Sequence, residues 1–180
     1  MACKFIIKPR TGPNAGKEVE SKLYTDLVNI TGSEKAADEA YSKVHNPEFL
    51  RWFGDWIGNK GSVSKVVDEN GEPLMVYRFT QKEEEIFTDK GKEYGPMGAA
   101  KGIHFTDQIE MEFGPTLTPV FLNIQNLKNI PAWDIAHITP EAKSQFTKEG
   151  VDGVATRDSA TSEREGGTPF SEVAVWDSNQ

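Results

Sequence analysis

The stretch "PLMVYRFT", residues 73–80, decides how the chain is read: it has the residue types of a strand buried on both faces, yet Arg78 stands in its middle. Successive strand residues point to opposite faces. Leu74, Val76, Arg78 and Thr80 therefore share one face, and Met75, Tyr77 and Phe79 the other. Two later stretches repeat the pattern. In "GIHFTD" (residues 102–107) His104 lies opposite Ile103 and Phe105, and in "FSEVAVW" (residues 170–176) Glu172 lies opposite Val173 and Val175. Each strand carries one ionisable group in a run that asks to be buried, and an unpaired buried charge costs several kcal/mol. Taken singly, each has an ordinary explanation: an ion pair at a strand end, a hydrogen-bonded core histidine, a glutamate at the rim. Taken together, an arginine, a histidine and a glutamate on three strands, beside two long polar loops, make a ligand site an equal reading.

Around these strands the chain reads as α+β, a mostly antiparallel sheet preceded by a small helical part. "KFII" predicts a short strand. Val19, Leu23, Leu27 and Ile30 predict a helix over 18–30, and Ser33 opens a second holding Ala36, Ala37, Ala40, Tyr41 and Val44. Asn46 and Pro47 suit the N-cap and first position of a third, whose Phe49, Leu50, Trp52, Phe53 and Trp56 read as core anchors. "SKVV" and "PLMVYRFT" flank "DENGE", where Asn70-Gly71 signals a hairpin. A polar loop over 81–101 precedes "GIHFTD" and the predicted strand "PVFLNIQN". Thr139-Pro140 opens a last helix, "DGVAT" is a further strand, and a second polar loop runs from Arg157 to Pro169.

The 180 residues, 37% hydrophobic and 27% charged, suit one soluble globular domain. No run of about 18 apolar residues and no secretory leader is read, so a cytoplasmic protein without a membrane partner is expected. The net charge of −8 opposes broad attraction to phosphate backbones, although Lys4, Lys8, Arg10 and Lys17 make the first stretch basic. Cys3 has no internal partner and receives no role. His45, His104 and His137 lack ligand spacing, so no metal is expected. Neither a Gly-rich phosphate loop nor a nucleophile motif is found. Arginine's fixed fork of donors suits a phosphate or ribose diol, imidazole can stack on a ring, and one carboxylate can stabilise positive charge on a sugar.

"VYRFT", "GIHFTD" and "FSEVAVWD", in this order, resemble the three signature strands of ADP-ribosyltransferases of the diphtheria-toxin and poly(ADP-ribose) polymerase type. "FLRWFGDW" and "KVVDENGEPLMVYR" are similar, more narrowly, to such domains in bacteriophage polyvalent proteins and related bacterial toxins. The resemblance covers about residues 46–180. It implies a split antiparallel β-sheet core over 46–180; residues 1–45 lie outside it and are expected as an N-terminal strand and helical extension packed on that core. It implies NAD as substrate, without a metal. Arg78 stands where the family usually has histidine and would grip the ribose and phosphate side; Phe79 stands at the glycine whose backbone holds the nicotinamide amide, followed by Thr80. His104, between Gly102 and Phe105, stands where a tyrosine stacks on nicotinamide, and Phe113 would form a second aromatic wall. Glu172 matches the catalytic glutamate. The implied activity is mono-ADP-ribosylation of a macromolecular acceptor by a phage- or toxin-type effector in the bacterial host's cytoplasm, with the 157–169 loop helping to select the target. Acidity favours a protein acceptor over RNA or DNA, and a cognate antitoxin or inhibitor is a further implied partner. NAD glycohydrolysis, and an inactive module binding protein or nucleic acid, are the alternatives.

Overall fold

The computed structural model describes residues 5–58, 60–80, 87, 101–107, 109, 115–156 and 172–177. Among them it is an α+β protein of five helices and a mixed sheet. It divides into two compact units, residues 1–75 with 121–123, and residues 76–120 with 124–180. The division between Met75 and Val76 places the third helix and the hairpin with the N-terminal helices.

In the first unit β1 (Ile6–Ile7) pairs antiparallel with β2 (Val19–Glu20), Ile7 opposite Val19. Val19 thus belongs to a strand and not to the helix its spacing suggested. The physical reason is Ser21, whose extended backbone and side-chain oxygen, accepting from the Tyr24 N–H at 3.0 Å, cap α1 (Lys22–Thr31). Ser33 caps α2 (Glu34–Val44), and Asn46, followed by Pro47, caps α3 (Pro47–Phe53) through the Phe49 N–H. Leu23, Leu27, Ala37, Val44, Phe53, Val66 and Leu74 are buried. Ser64 donates to the Leu122 carbonyl at 2.6 Å, and Phe49 meets Phe121 edge-on, which fastens residues 121–123 to this unit.

The hairpin turn is held by Asp68, whose carboxylate accepts the N–H groups of Asn70 and Glu72, with Val67 opposite Pro73. Glu72 is buried, 1% exposed, and its carboxylate accepts the Ser21 hydroxyl at 2.8 Å and the Tyr41 hydroxyl at 3.3 Å. Burial, assisted by the charge of Asp68, pushes the Glu72 pKa from 4.5 up to about 7 against the opposing pull of its hydrogen bonds. Folded Glu72 therefore holds its proton where the unfolded chain has released it. The resulting stability is complete below the unfolded value and is lost as the pH rises through about 7, a loss of roughly 3 kcal/mol. Asp68, also raised by burial, acts in the same sense. Glu72→Gln should flatten the difference in urea midpoint between about pH 5 and about pH 8; an unchanged slope would assign the linkage to another group.

The second unit contains a six-stranded sheet in the order β5-β3-β4-β8-β7-β6, where β3 is Val76–Thr80, β4 Ile103–Thr106, β5 Thr116–Val120, β6 Leu127–Asn129, β7 Gly153–Thr156 and β8 Glu172–Val175. All neighbours run antiparallel except β6 and β7, so the sheet is mixed. Strand β5 carries Pro119 at the sheet edge, where a missing N–H is tolerated. The predicted strand "PVFLNIQN" is largely coil: Leu122 and Ile124 are buried without joining a ladder. Helices α4 (Ala132–Ile135) and α5 (Pro140–Lys148, capped by Thr139) complete the unit. Ile135, Ile138, Val151, Val154 and Ala174 form a core cluster, with Phe146 and Trp176 packed against it.

Candidate functional site

The three strands that carry Arg78, His104 and Glu172 are consecutive in the sheet: β3, β4, β8. Between β4 and β8 the register pairs Thr106 with Glu172 and His104 with Ala174, so His104 and Glu172 are diagonal neighbours on one face. His104 Nδ1 lies 2.7 Å from Glu172 Oε1, and the side chains keep 24% and 35% of their surface exposed. The other ring nitrogen, Nε2, faces the Lys101 carbonyl at 3.3 Å, and the Lys101 N–H donates to the Ile138 carbonyl at 2.8 Å. Each ring nitrogen thus has an oxygen within hydrogen-bond reach, which fixes the orientation of the ring. Such a solvent-reachable pair contributes under about 1 kcal/mol. A ligand can therefore draw the carboxylate away from His104 at small cost.

Arg78 is placed differently. Tyr77 pairs with Thr106, so alternation puts Tyr77 and Phe79 on the face of His104 and Glu172, and Arg78 on the face of Ile103 and Phe105. Its guanidinium carbon lies 5.3 Å from the Phe87 ring centre and 6.0 Å from that of Phe105. Among the described residues Tyr77↔Thr106 is the single registered pair between β3 and β4, against five pairs between β3 and β5. Where that ladder stops, Arg78 Nη1 donates to the His104 main-chain carbonyl at 3.2 Å. The arginine inside "PLMVYRFT" thus adds a side-chain tie between β3 and β4.

The structure brings His104 and Glu172 into contact, with Arg78 reaching the histidine's backbone from the opposite face. Thr80 and Phe105 are buried. Phe79 is half-buried on the face of His104. Gly102 has φ +116, a region that disfavours side chains, and a Cβ there would sit 3.1 Å from the Trp176 ring. Phe113 and the 157–169 loop lie outside the described residues. Lys101, which fixes the histidine ring, was missed; as a loop residue outside the strand pattern it gave no local signal. Among the described residues no group of three or more His, Cys, Asp or Glu side chains could hold a metal ion, and no helix is long and apolar enough to cross a membrane. Neither a family model, nor a curated protein, nor a solved structure matches the chain.

Proposed function

We propose that the chain is a mono-ADP-ribosyltransferase that cleaves NAD and passes ADP-ribose to a macromolecular acceptor, protein before RNA or DNA, in a bacterial cytoplasm as a phage- or toxin-type effector. The observation that carries this reading is the half-buried, solvent-reachable 2.7 Å contact between His104 and Glu172 on adjacent strands. The antiparallel succession of β3, β4 and β8 supports the finer assignment to the split antiparallel core of that fold. The residues fit NAD in part: Glu172 and His104 reach solvent, whereas Arg78 packs over aromatic rings on the other face.

In this reading Glu172 accepts a hydrogen bond from the nicotinamide-side ribose and offsets the positive charge that builds at the anomeric carbon as the glycosidic bond lengthens. The electron pair of that bond leaves with nicotinamide, and an acceptor nucleophile that gives up its proton replaces it. His104 orients the carboxylate and offers its ring for stacking. Arg78 holds β3 beside β4.

The placement of Arg78 favours a second reading, an inactive module that binds protein or nucleic acid, because the guanidinium expected to grip NAD is engaged elsewhere. Labelled NAD incubated with host lysate separates the two. The transferase places label in a protease-sensitive product and releases nicotinamide. Nicotinamide without macromolecular label makes the protein a glycohydrolase. No release, and no NAD binding at millimolar concentration by calorimetry, leaves the binding module.

A further inference from the structure

The first unit contains a cavity of about 320 Å3 that the transferase reading does not use. Four aromatic rings run along it in succession: Phe5 to Tyr41, 4.6 Å between centres; Tyr41 to His45, 4.4 Å; His45 to Trp56, 4.8 Å. Several polar atoms of these rings are already bonded in the wall. Tyr41 donates to Glu72, Trp56 Nε1 to the Val44 carbonyl at 3.2 Å, and His45 Nδ1 to the Tyr41 carbonyl at 2.7 Å. The aromatic lining is therefore suited to stacking. Glu72, the one carboxylate of the lining, is 1% exposed and bonded to Ser21 and Tyr41, so it does not recruit a cation. The charged groups that remain are Lys8 and Arg10, both exposed; Arg10 Nη1 contacts the Gly58 carbonyl at 3.4 Å, leaving the rest of its fork to an incoming group.

We propose that this cavity binds a small planar aromatic anion, its ring against His45 and Trp56 and its anionic group at Lys8 and Arg10. The volume lies at the small end of ligand sites and suits a molecule of one or two fused rings. An aromatic carboxylate and a nucleoside monophosphate share this chemistry.

The Trp56 indole N–H, fixed by Val44, is the reporter, assigned in the full chain by comparison with Trp56→Phe. Indole-3-acetate, AMP and the neutral indole-3-acetamide are the probes. At least one anion should shift the Trp56 signal saturably and bind about tenfold or more tighter than the amide, the scale of one charge-assisted hydrogen bond. Which anion does so distinguishes carboxylate from phosphate. Lys8→Gln combined with Arg10→Gln, both at exposed positions, should erase that preference while the amide's affinity stays. Absence of a saturable shift up to about 10 mM, equal binding of the amide, or a preference that survives the double variant would overturn the proposal.

Discussion

On the transferase reading proposed above, Glu172→Gln is expected to slow NAD turnover about 10²–10³-fold, the effect of removing one preorganised electrostatic group from a transition state. Glutamine keeps the shape of the side chain and an oxygen that can still accept from His104 Nδ1, so the contact across β4 and β8 survives while the negative charge does not. The loss should fall on kcat, with NAD affinity and thermal midpoint near those of the wild type, because the charge it removes is needed most as the sugar becomes positive. His104→Phe, which keeps a ring and frees the carboxylate, should lower turnover less. Wild-type turnover in Glu172→Gln would remove Glu172 from the chemistry, and a collapse of NAD affinity with unchanged kcat would make it a binding group only.

Gly54→Ala should destabilise the first unit by about 4 kcal/mol or more. Gly54 ends α3 at φ +103, and a Cβ there would stand 2.3 Å from the Ser62 carbonyl oxygen and 2.5 Å from Val63 Cα. Both obstacles are backbone, so the segment that returns against the helix must move, and with it the Ser64 N–H bond to the Phe53 carbonyl. Gly61→Ala is the comparison. Gly61 also has positive φ, +73, but open space where the methyl would go, so it should cost only about 1–2 kcal/mol of backbone strain. Equal urea midpoints for the two variants would mean that the close approach at Gly54 relaxes freely.

What could be read from the sequence depended on how local the physics is. Capping is local, and Ser33, Asn46-Pro47 and Thr139-Pro140 mark their helices directly. Val19 stands at a helical spacing from Leu23 and Leu27, and the Ser21 cap together with its pairing to Ile7 places it in a strand instead. Phe121, Leu122 and Ile124 imitate a strand because burial, not a ladder, asks for apolar residues there. The same reasoning applies to the candidate site. Alternation within β4 and β8 places His104 and Glu172 on one face, as diagonal neighbours, once the strands are paired in this register. The face of Arg78 depends on the register between β3 and β4, which no residue in either strand encodes alone. The burial of Glu72 within the turn "DENGE" had no local signal, since its partners Ser21 and Tyr41 come from distant segments.

The position of β3 also bears on how the polypeptide could be divided. β3 lies between β5 and β4, both of which follow residue 100, so a chain severed between Thr80 and Lys101 would leave this strand clasped by the other fragment on its two sides. Two separately expressed halves should therefore reassemble into a stoichiometric complex, with five rungs to β5 supplying most of the grip. Halves that elute apart in size-exclusion chromatography would show that covalent continuity is what keeps β3 seated.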